Sequence, residues 1–536
     1  MPGQTPSSTS PPLSAERSSA SGQHFAGAAT GPRVVVVGGG IGGLTTALVL
    51  AREVPGVRVT ILEAGDRLGG KLRTEEVAGH RVDVGAEAML ALRPEAVDLV
   101  EAVGAGAELV TPVTTAASVW SRGALHPLPR ATLMGIPADP ESTRRILTDD
   151  EVERLRREED WPGGPLVEDV SVGDYVAARL GPAVVDRLVE PLLGGVYAGH
   201  ARRLSLQATM PAVWQAATTG ASLSELAARA MGPRPPASAP TTTAGTAATA
   251  GTAGTAGTAG TAGGPGAPAS RRPPFAGIVG GVGRLPELVL RALEPHQVEV
   301  RTGTIVRELE RTATGWAVVA GPTTNPERIE AEAVVVTLGP GPTARLLSPH
   351  AATAASVLGA MQTASSAVIT LAVERPGLGE LPGSGFLVPP VEGHTIKAST
   401  FSASKWAWTR ALSDDVTFLR ASIGRAGEES DLQREDAELV DVAVREVGEA
   451  LGRPLTRVVD AHVQRWGGGL PQYVVGHVGR VAAVRADVDR LPGLALAGAA
   501  YDGVGIPAVV ASATTAAQAV AAHVRSTLAG TGEWGP

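Results

Sequence analysis

The feature that most constrains the fold of this chain is a glycine-rich turn between a buried strand and a helix. Arg33–Val37 is an almost continuous apolar run, as expected of a parallel strand covered on both faces, and Leu44–Glu53 has the pattern of a helix. Between them, Gly38, Gly40 and Gly43 match the spacing G-x-G-x-x-G. These glycines allow a tight turn, close approach of a pyrophosphate and close packing of helix on strand. The sequence therefore predicts a dinucleotide-binding sheet.

A carboxylate follows at the end of the second predicted strand, Val57–Leu62. Glu63 comes twenty residues after Gly43, where a carboxylate can accept hydrogen bonds from both hydroxyls of a ribose. An acidic residue at this strand end disfavours a 2′-phosphate. The spacing therefore favours FAD or NAD over NADP.

Further runs along the chain predict where this sheet is completed. Ala333–Leu338 and Leu494–Ala497 are predicted to be buried strands, and the second is followed by a helix over Pro507–Val524. The first and last parts of the chain are therefore expected to form one sheet. The intervening chain is predicted to contain strands of a mixed sheet and a mostly helical part: Ser366–Val373, Thr417–Ile423 and Val458–Trp466 for the strands, and Arg93–Ala230 for the helices.

Composition excludes several classes of protein. Hydrophobic residues make up 43% of the chain and charged residues 19%, so the chain as a whole is not disordered. A net charge of −8 without a basic block argues against nucleic acid as a partner. The chain has no cysteine, which excludes disulfides, a thiolate nucleophile and iron–sulfur clusters, and no metal site is predicted. Redox chemistry would require an organic cofactor.

Two segments have low-complexity composition. Residues 1–31 are rich in Ser, Pro, Gly and Ala and lack the basic start and apolar core of a signal peptide. Residues 233–274 include a Thr, Ala and Gly repeat from which no core can be built. No apolar run reaches the ~20 residues that a spanning helix needs. We expect a cytoplasmic protein with at most peripheral contact with the inner face of the membrane.

Two more glycine-rich stretches and a final turn distinguish FAD from NAD. Arg67–Thr74 contains two adjacent glycines, and either Lys71 or Arg73 could offset phosphate charge unless the two form a solvated surface pair. The second stretch, Val82–Glu87, adds one further glycine, Gly85, at which the backbone could approach the cofactor. Gly498–Pro507 is a glycine-rich turn that leads into a helix whose N-terminus could stabilise negative charge on a reduced flavin ring.

These stretches resemble the flavin-containing amine oxidase and protoporphyrinogen oxidase superfamily, in which they lie along an extended FAD. The resemblance implies an α/β fold with a Rossmann-type FAD-binding domain of the p-hydroxybenzoate hydroxylase and amine oxidase kind, a mixed-sheet substrate domain and a helical subdomain. Without cysteine, the FAD is expected to be non-covalent. The cofactor contacts implied are Gly38, Gly40, Ile41, Gly42, Gly43, Glu63, Ala64, Gly70, Lys71, Gly85, Ala86, Glu87, Val306, Gly498, Gly505 and Ile506.

Other motifs resemble the porphyrinogen oxidases of haem synthesis. They are Glu190–Gly199, Leu204–Leu206, Gly385–Pro389, Lys405–Trp406 and Arg465–His477. This likeness implies the oxygen-dependent oxidation of coproporphyrinogen III to coproporphyrin III, in which six electrons are removed and hydrogen peroxide is released. The flavin performs the chemistry, so no catalytic side chain is predicted. A ferrochelatase is a candidate partner for hand-off of the product.

Arg93 matches an arginine that this family is thought to use for substrate propionates, and guanidinium suits carboxylate. A salt bridge to the neighbouring helix is the alternative explanation of Arg93. Alternative functions are a protoporphyrinogen IX oxidase, an amine or carotenoid flavin oxidoreductase, and a non-catalytic binding protein of the dissociation-inhibitor type.

The predicted organisation has an FAD domain built from three separate segments. The predicted units are a tail (1–31), FAD segment one (32–94), a helical part (95–232), the insert (233–274), FAD segment two (275–345), the substrate domain (346–489), FAD segment three (490–527) and a tail (528–536).

Overall fold

The computed structural model describes residues 31–231 and 273–531. The predicted N-terminal tail and the Thr/Ala/Gly insert therefore lie outside the described residues, apart from residues 31, 273 and 274.

A five-stranded parallel sheet is built from both ends of the chain, as the sequence predicts. Its order is Val298–Arg301, Arg58–Leu62, Arg33–Val37, Ala333–Val336 and Leu494–Leu496. In the central strand, Val34–Val37 are buried because layers cover both faces of the sheet. The strand order changes direction beside Arg33–Val37, and ligands bind in α/β sheets at the carboxyl ends of the strands next to such a point.

Helices and a small antiparallel sheet form these two layers. One face is covered by the helices Ile41–Glu53, Leu285–Leu293 and Ile506–Thr531. The first of these begins three residues earlier than predicted, and the last runs past residue 528, so the predicted C-terminal tail starts inside a helix. The other face is covered by the strands Val306–Arg311, Trp316–Ala320 and Glu327–Ala331 and the helices Pro340–Leu347, Ala352–Gly359 and His477–Val488.

A second, seven-stranded sheet is mixed, and the helix Asp436–Leu451 packs on one of its faces. Its three predicted strands are present, each slightly longer than expected, and a single neighbouring pair in the sheet is parallel. The strand order is Val458–Pro471, Thr363–Glu374, Val416–Ile423, Ile396–Phe401, Gly385–Leu387, Ser118–Ser121 and Ala124–Pro127.

The segment predicted to be mostly helical contributes two strands to this sheet. Ser118–Ser121 and Ala124–Pro127 form a hairpin through Arg122 and Gly123, both of which have positive φ, as tight hairpin turns require. The helix Glu95–Ala102 packs in the core beside the parallel sheet, whereas most of the remainder packs around its own apolar core. The helical elements of this core are Asp149–Arg156, Val172–Leu180, Pro182–Val184, the π-helix Val185–Val189, Glu190–Tyr197, Leu206–Thr209, Pro211–Ala217 and Leu223–Met231.

Short elements connect these layers. They are the strands Thr74–Val77, His80–Asp83, Met89–Leu90, Leu109–Val110, Thr132–Leu133, Ile136–Pro137 and Phe275–Ile278 and the helices Glu95–Ala102, Ser402–Lys405 and Ala407–Arg410. Within residues 31–231 and 273–531, no helix has the length and hydropathy needed to cross a bilayer.

Candidate cofactor and substrate site

The glycine-rich turn has a geometry that side chains would prevent. Gly38 has a φ of 107°, a conformation that favours glycine. A Cβ atom on Gly43 would lie 1.9 Å from the Gly38 carbonyl oxygen, so the helix can pack on the turn only through glycine. A Cβ on Gly40 would meet nothing nearer than 3.9 Å. The turn is therefore closed on its inner side and open above Gly40, as binding of a pyrophosphate requires.

The helix Ile41–Glu53 presents its N-terminus at this opening. Its N-cap is Gly40, which provides no side-chain cap, and its first turn contains no acidic residue. The unpaired N–H groups and the positive end of the helix dipole are thus available to an anion.

Glu63 is held next to this turn by two backbone donors. Its Oε2 accepts a hydrogen bond from the Gly39 amide and its Oε1 accepts one from the Gly65 amide, each at 2.7 Å. A carboxylate has about four acceptor positions, so ribose hydroxyls can still bind. The exposed Ala64 follows Glu63. Val306 begins a strand just after Thr304, whose amide donates to the Glu63 carbonyl at 2.8 Å, so this predicted adenine contact lies beside the predicted ribose contact.

The second glycine stretch packs against the first. The Gly69 amide donates to the Gly39 carbonyl at 2.8 Å, and a Cβ on Gly70 would lie 3.2 Å from the Gly40 Cα. Lys71 is not a partner of Arg73: its ammonium donates to the Gly469 carbonyl.

Gly85 lies directly against this second stretch. A Cβ on Gly85 would lie 2.0 Å from the Lys71 carbonyl oxygen, so no larger residue fits there. Arg73, the other cation that could offset phosphate charge, forms a salt bridge with Glu75.

The last turn, from Gly498 to Gly505, leads into the helix Ile506–Thr531. The Tyr473 hydroxyl donates to the Ala499 carbonyl at 2.7 Å, and the buried ring of His477 stacks on Tyr473 with ring centroids 3.7 Å apart. A Cβ on Gly42 would lie 3.3 Å from Val509, so the N-termini of the first and last helices are side by side. Both helix ends therefore face the same crevice.

Arg93 lies between this turn and a neighbouring helix. Its Nη2 donates to Glu95 Oε1 at 2.7 Å, so the salt bridge considered as an alternative is present. Its Nη1 lies 3.9 Å from the position of a Cβ on Gly503. Arginine has five N–H donors, and those not bonded to Glu95 remain to bind a carboxylate at the turn.

The carboxylate of Glu87 is bound by two protein side chains and does not act as a direct cofactor ligand. One of its carboxylate oxygens accepts from the Trp406 indole N–H and the other from Arg420 Nη1, and its side chain is 8% exposed. Any contact of this stretch with a cofactor would therefore come from the backbone of Gly85, Ala86 and Glu87.

Three residues that shape the site, Thr337, Arg420 and Asp83, were not predicted from the sequence. The Thr337 hydroxyl donates to the Gly38 carbonyl at 3.1 Å, and Arg420 contacts both Gly85 and Glu87. Asp83 accepts from the Val282 and Gly283 amides at 2.9 and 2.8 Å, while its burial raises its pKa to about 7. A carboxylate two residues before Gly85 is the one pattern that could have drawn attention to Asp83.

These features fit FAD. The turn is open above Gly40, the carboxylate of Glu63 follows the second strand, and the start of a second helix lies beside the first. With no cysteine in the chain, no thioether to the flavin can form. Fold and site together define an FAD-dependent oxidoreductase.

The chain belongs to the flavin containing amine oxidoreductase family, whose model matches residues 41–521. The coproporphyrinogen III oxidase of Mycobacterium tuberculosis H37Rv is 35% identical over 489 residues, which are 90% of this chain and 96% of that protein. The coproporphyrinogen III oxidase of Bacillus subtilis is 28% identical over 485 residues, 88% of this chain and 94% of that protein. A crystal structure described as a protoporphyrinogen oxidase from Exiguobacterium has a TM-score of 0.75 at 31% identity and covers 92% of this chain and 99% of its own.

Proposed function

We propose that this chain oxidises coproporphyrinogen III to coproporphyrin III in the synthesis of haem. Six hydrogens leave the macrocycle, and three molecules of oxygen take them up as three molecules of hydrogen peroxide. Bound FAD supplies the hydride acceptor for this oxidation. The relatives from Mycobacterium tuberculosis and Bacillus subtilis, which carry the name coproporphyrinogen III oxidase, support this choice of substrate.

The observation that carries the proposal is the position of Arg93 beside Gly503. The guanidinium borders the turn that precedes the helix Ile506–Thr531, which is where the flavin ring is expected. A substrate carboxylate bound by Arg93 would therefore hold a macrocycle next to the reactive ring. Coproporphyrinogen III carries four propionates, whereas protoporphyrinogen IX carries two, so more carboxylates are available to this cation.

The other residues of the site bind and orient. The N-terminus of the helix at Ile506 would stabilise negative charge that develops on the ring. We assign no general base, because the flavin is the hydride acceptor. Two histidines near the site have structural partners: His200 contacts the Glu190 carboxylate at 3.2 Å and the Ala426 carbonyl at 2.9 Å, and His477 donates to the Tyr501 carbonyl at 3.2 Å.

Anaerobic mixing of the purified holoenzyme with each porphyrinogen tests the proposal. We expect coproporphyrinogen III to bleach the flavin absorbance, with a higher kcat/KM in air than protoporphyrinogen IX and with release of peroxide. Faster turnover of protoporphyrinogen IX would overturn the choice of substrate. If neither porphyrinogen bleaches the flavin while an amine or a carotenoid precursor does, the reaction itself is wrongly assigned.

Arg93→Ala tests the role of the guanidinium. We expect KM for coproporphyrinogen III to rise about tenfold or more with little change in kcat, since a charge-assisted hydrogen bond contributes ~1.5–3 kcal/mol. Arg328→Ala is the control, because Arg328 also forms salt bridges with carboxylates but lies on the outer antiparallel sheet. An equal rise in KM in both variants would contradict the assignment.

We also propose a cytoplasmic location, with at most peripheral membrane contact, and hand-off of the product to a ferrochelatase. The product would be a metal-free porphyrin, so an enzyme that inserts iron is its expected consumer. Cell fractionation tests the location. Transfer of product between the two purified enzymes in the presence of a porphyrin-binding trap tests the hand-off, and complete capture of the product by the trap would contradict it.

A further inference from the structure

A buried ion pair joins the large mixed sheet to the stretch Gly85–Glu87. Arg420 lies in the strand Val416–Ile423, and its Nη1 donates to Glu87 Oε2 at 2.7 Å. Its Nη2 donates to the Gly85 carbonyl oxygen. The same guanidinium therefore contacts both ends of the stretch, one through a side chain and the other through the backbone.

This pair is removed from solvent. The side chains of Arg420 and Glu87 are 11% and 8% exposed. Burial alone would raise the pKa of Glu87, but the nearby cations Lys405 and Arg420 and the hydrogen bonds from Arg420 and Trp406 hold that pKa below its usual value. Trp406 fixes the second carboxylate oxygen, so the orientation of Glu87 is determined on both sides.

A small cavity lies beside the pair, and both apolar and polar residues line it. Its polar lining comes from Asp83, Glu87, Thr370, Ser402, Thr409 and Arg420. Within the described part of the chain, the hydroxyls of Thr370, Ser402 and Thr409 and the Nε of Arg420 are buried without a protein hydrogen-bond partner. Buried polar groups without partners cost stability, so packing does not explain this arrangement.

A buried ion pair is also a poor source of stability, because desolvation offsets most of the attraction between the charges. The effect of the pair is instead to hold the backbone of Gly85 in place. Gly85 packs on the Lys71 carbonyl, so a guanidinium that holds the Gly85 carbonyl also fixes the distance between the two glycine stretches predicted to contact FAD.

We propose that Arg420 and Glu87 are a positioning pair that fixes the backbone of Gly85–Glu87 against the FAD. This inference rests on the assignment of Gly85–Glu87 to the FAD site and is independent of which substrate is oxidised. Neither side chain needs to touch the cofactor, because Arg420 acts through the Gly85 carbonyl and Glu87 acts by orienting Arg420.

Titration of apoprotein with FAD, followed by flavin fluorescence, tests the pair directly. Arg420→Met keeps an unbranched apolar stem but removes the guanidinium with both donors, and we expect the Kd for FAD to rise at least tenfold and the visible spectrum of the bound flavin to shift. Glu87→Gln keeps the size of the side chain but removes the charge, and we expect a rise of at least threefold. The second variant provides the test if the first does not fold.

Arg179→Met is the matched control, because Arg179 forms an equally buried pair with Glu158, with side chains 5% and 7% exposed, in the helical part of the chain. We expect this variant to lower the melting temperature while the Kd for FAD stays within twofold. A Kd within twofold of the unmodified protein in both Arg420→Met and Glu87→Gln would overturn the inference. Unmodified apoprotein that fails to bind FAD would instead overturn the assignment of the site.

Discussion

Lowering the pH should destabilise this protein through one residue, His477. The side chain is 2% exposed, stacks on Tyr473 and donates from Nε2 to the Tyr501 carbonyl. Burial, aided by the charge of Arg480, lowers its pKa from 6.5 to about 4. The folded protein therefore holds the neutral imidazole at a pH at which the unfolded chain already binds a proton.

The sign and size of the effect follow from this difference in pKa. Because the folded value is the lower one, stability is complete above the unfolded pKa of 6.5 and is lost as the pH falls towards about 4. At about pH 5 the loss from this group is about 2 kcal/mol relative to about pH 7.5. The loss should also disturb the FAD turn, since Tyr473 and His477 both hold carbonyls within Ala499–Tyr501.

Urea unfolding of the holoenzyme at about pH 7.5 and about pH 5 measures the effect, with His477→Gln as the comparison. The variant cannot titrate, so we expect it to be less stable than the unmodified protein at about pH 7.5 but to lose about 2 kcal/mol less on acidification. Carboxylates and the other histidines titrate in both proteins, so their contributions cancel in the difference. If the two proteins lose the same free energy between these pH values, His477 is not the group that responds.

Two further substitutions test the cofactor site and the core. Glu63→Ala should raise the Kd for FAD about tenfold or more in fluorescence titrations, because the ribose would lose charge-assisted hydrogen bonds; an unchanged Kd would place the ribose contact elsewhere. Lys397→Met should raise the free energy of unfolding by roughly 1–3 kcal/mol near neutral pH, since Lys397 is 6% exposed and its burial, reinforced by Arg425, lowers its pKa to about 7. A less stable Lys397→Met protein would show that the bond from Lys397 to the Gly424 carbonyl outweighs the cost of burying the charge.

Local sequence patterns are sufficient to predict the five-stranded parallel sheet. Arg33–Val37 and Ala333–Val336 are nearly continuous apolar runs, a pattern typical of strands with both faces covered. The predicted α/β fold is confirmed by the structure and by the family match. Glu63 could be located because its spacing from Gly43 is a property of the local strand–helix–strand unit.

The hairpin Ser118–Pro127 shows where local patterns are insufficient. Its two strands are four residues each, and its turn residues, Arg122 and Gly123, are not the usual Asn-Gly or Asp-Gly. The hairpin is stabilised by pairing with Gly385–Leu387, far away in sequence. The prediction of a mostly helical segment was wrong at this point, where the short strands Leu109–Val110 and Thr132–Leu133 also flank the hairpin.

The polar residues behind Gly85 could not be predicted for the same reason. Arg420 faces Thr370 and Thr400 in neighbouring strands because of the register of the mixed sheet, and it reaches Glu87 across 333 residues of chain. A shift of that register by one residue would turn Arg420 to the opposite face of the sheet, towards the apolar core that contains Leu419 and Ala421. The strand that pairs with Val416–Ile423 on this side has a bulge between Ile396 and Ala398. The position of the guanidinium against Gly85–Glu87, the stretch predicted to contact FAD, is therefore a property of how distant parts of the chain assemble, and no short motif in the sequence contains it.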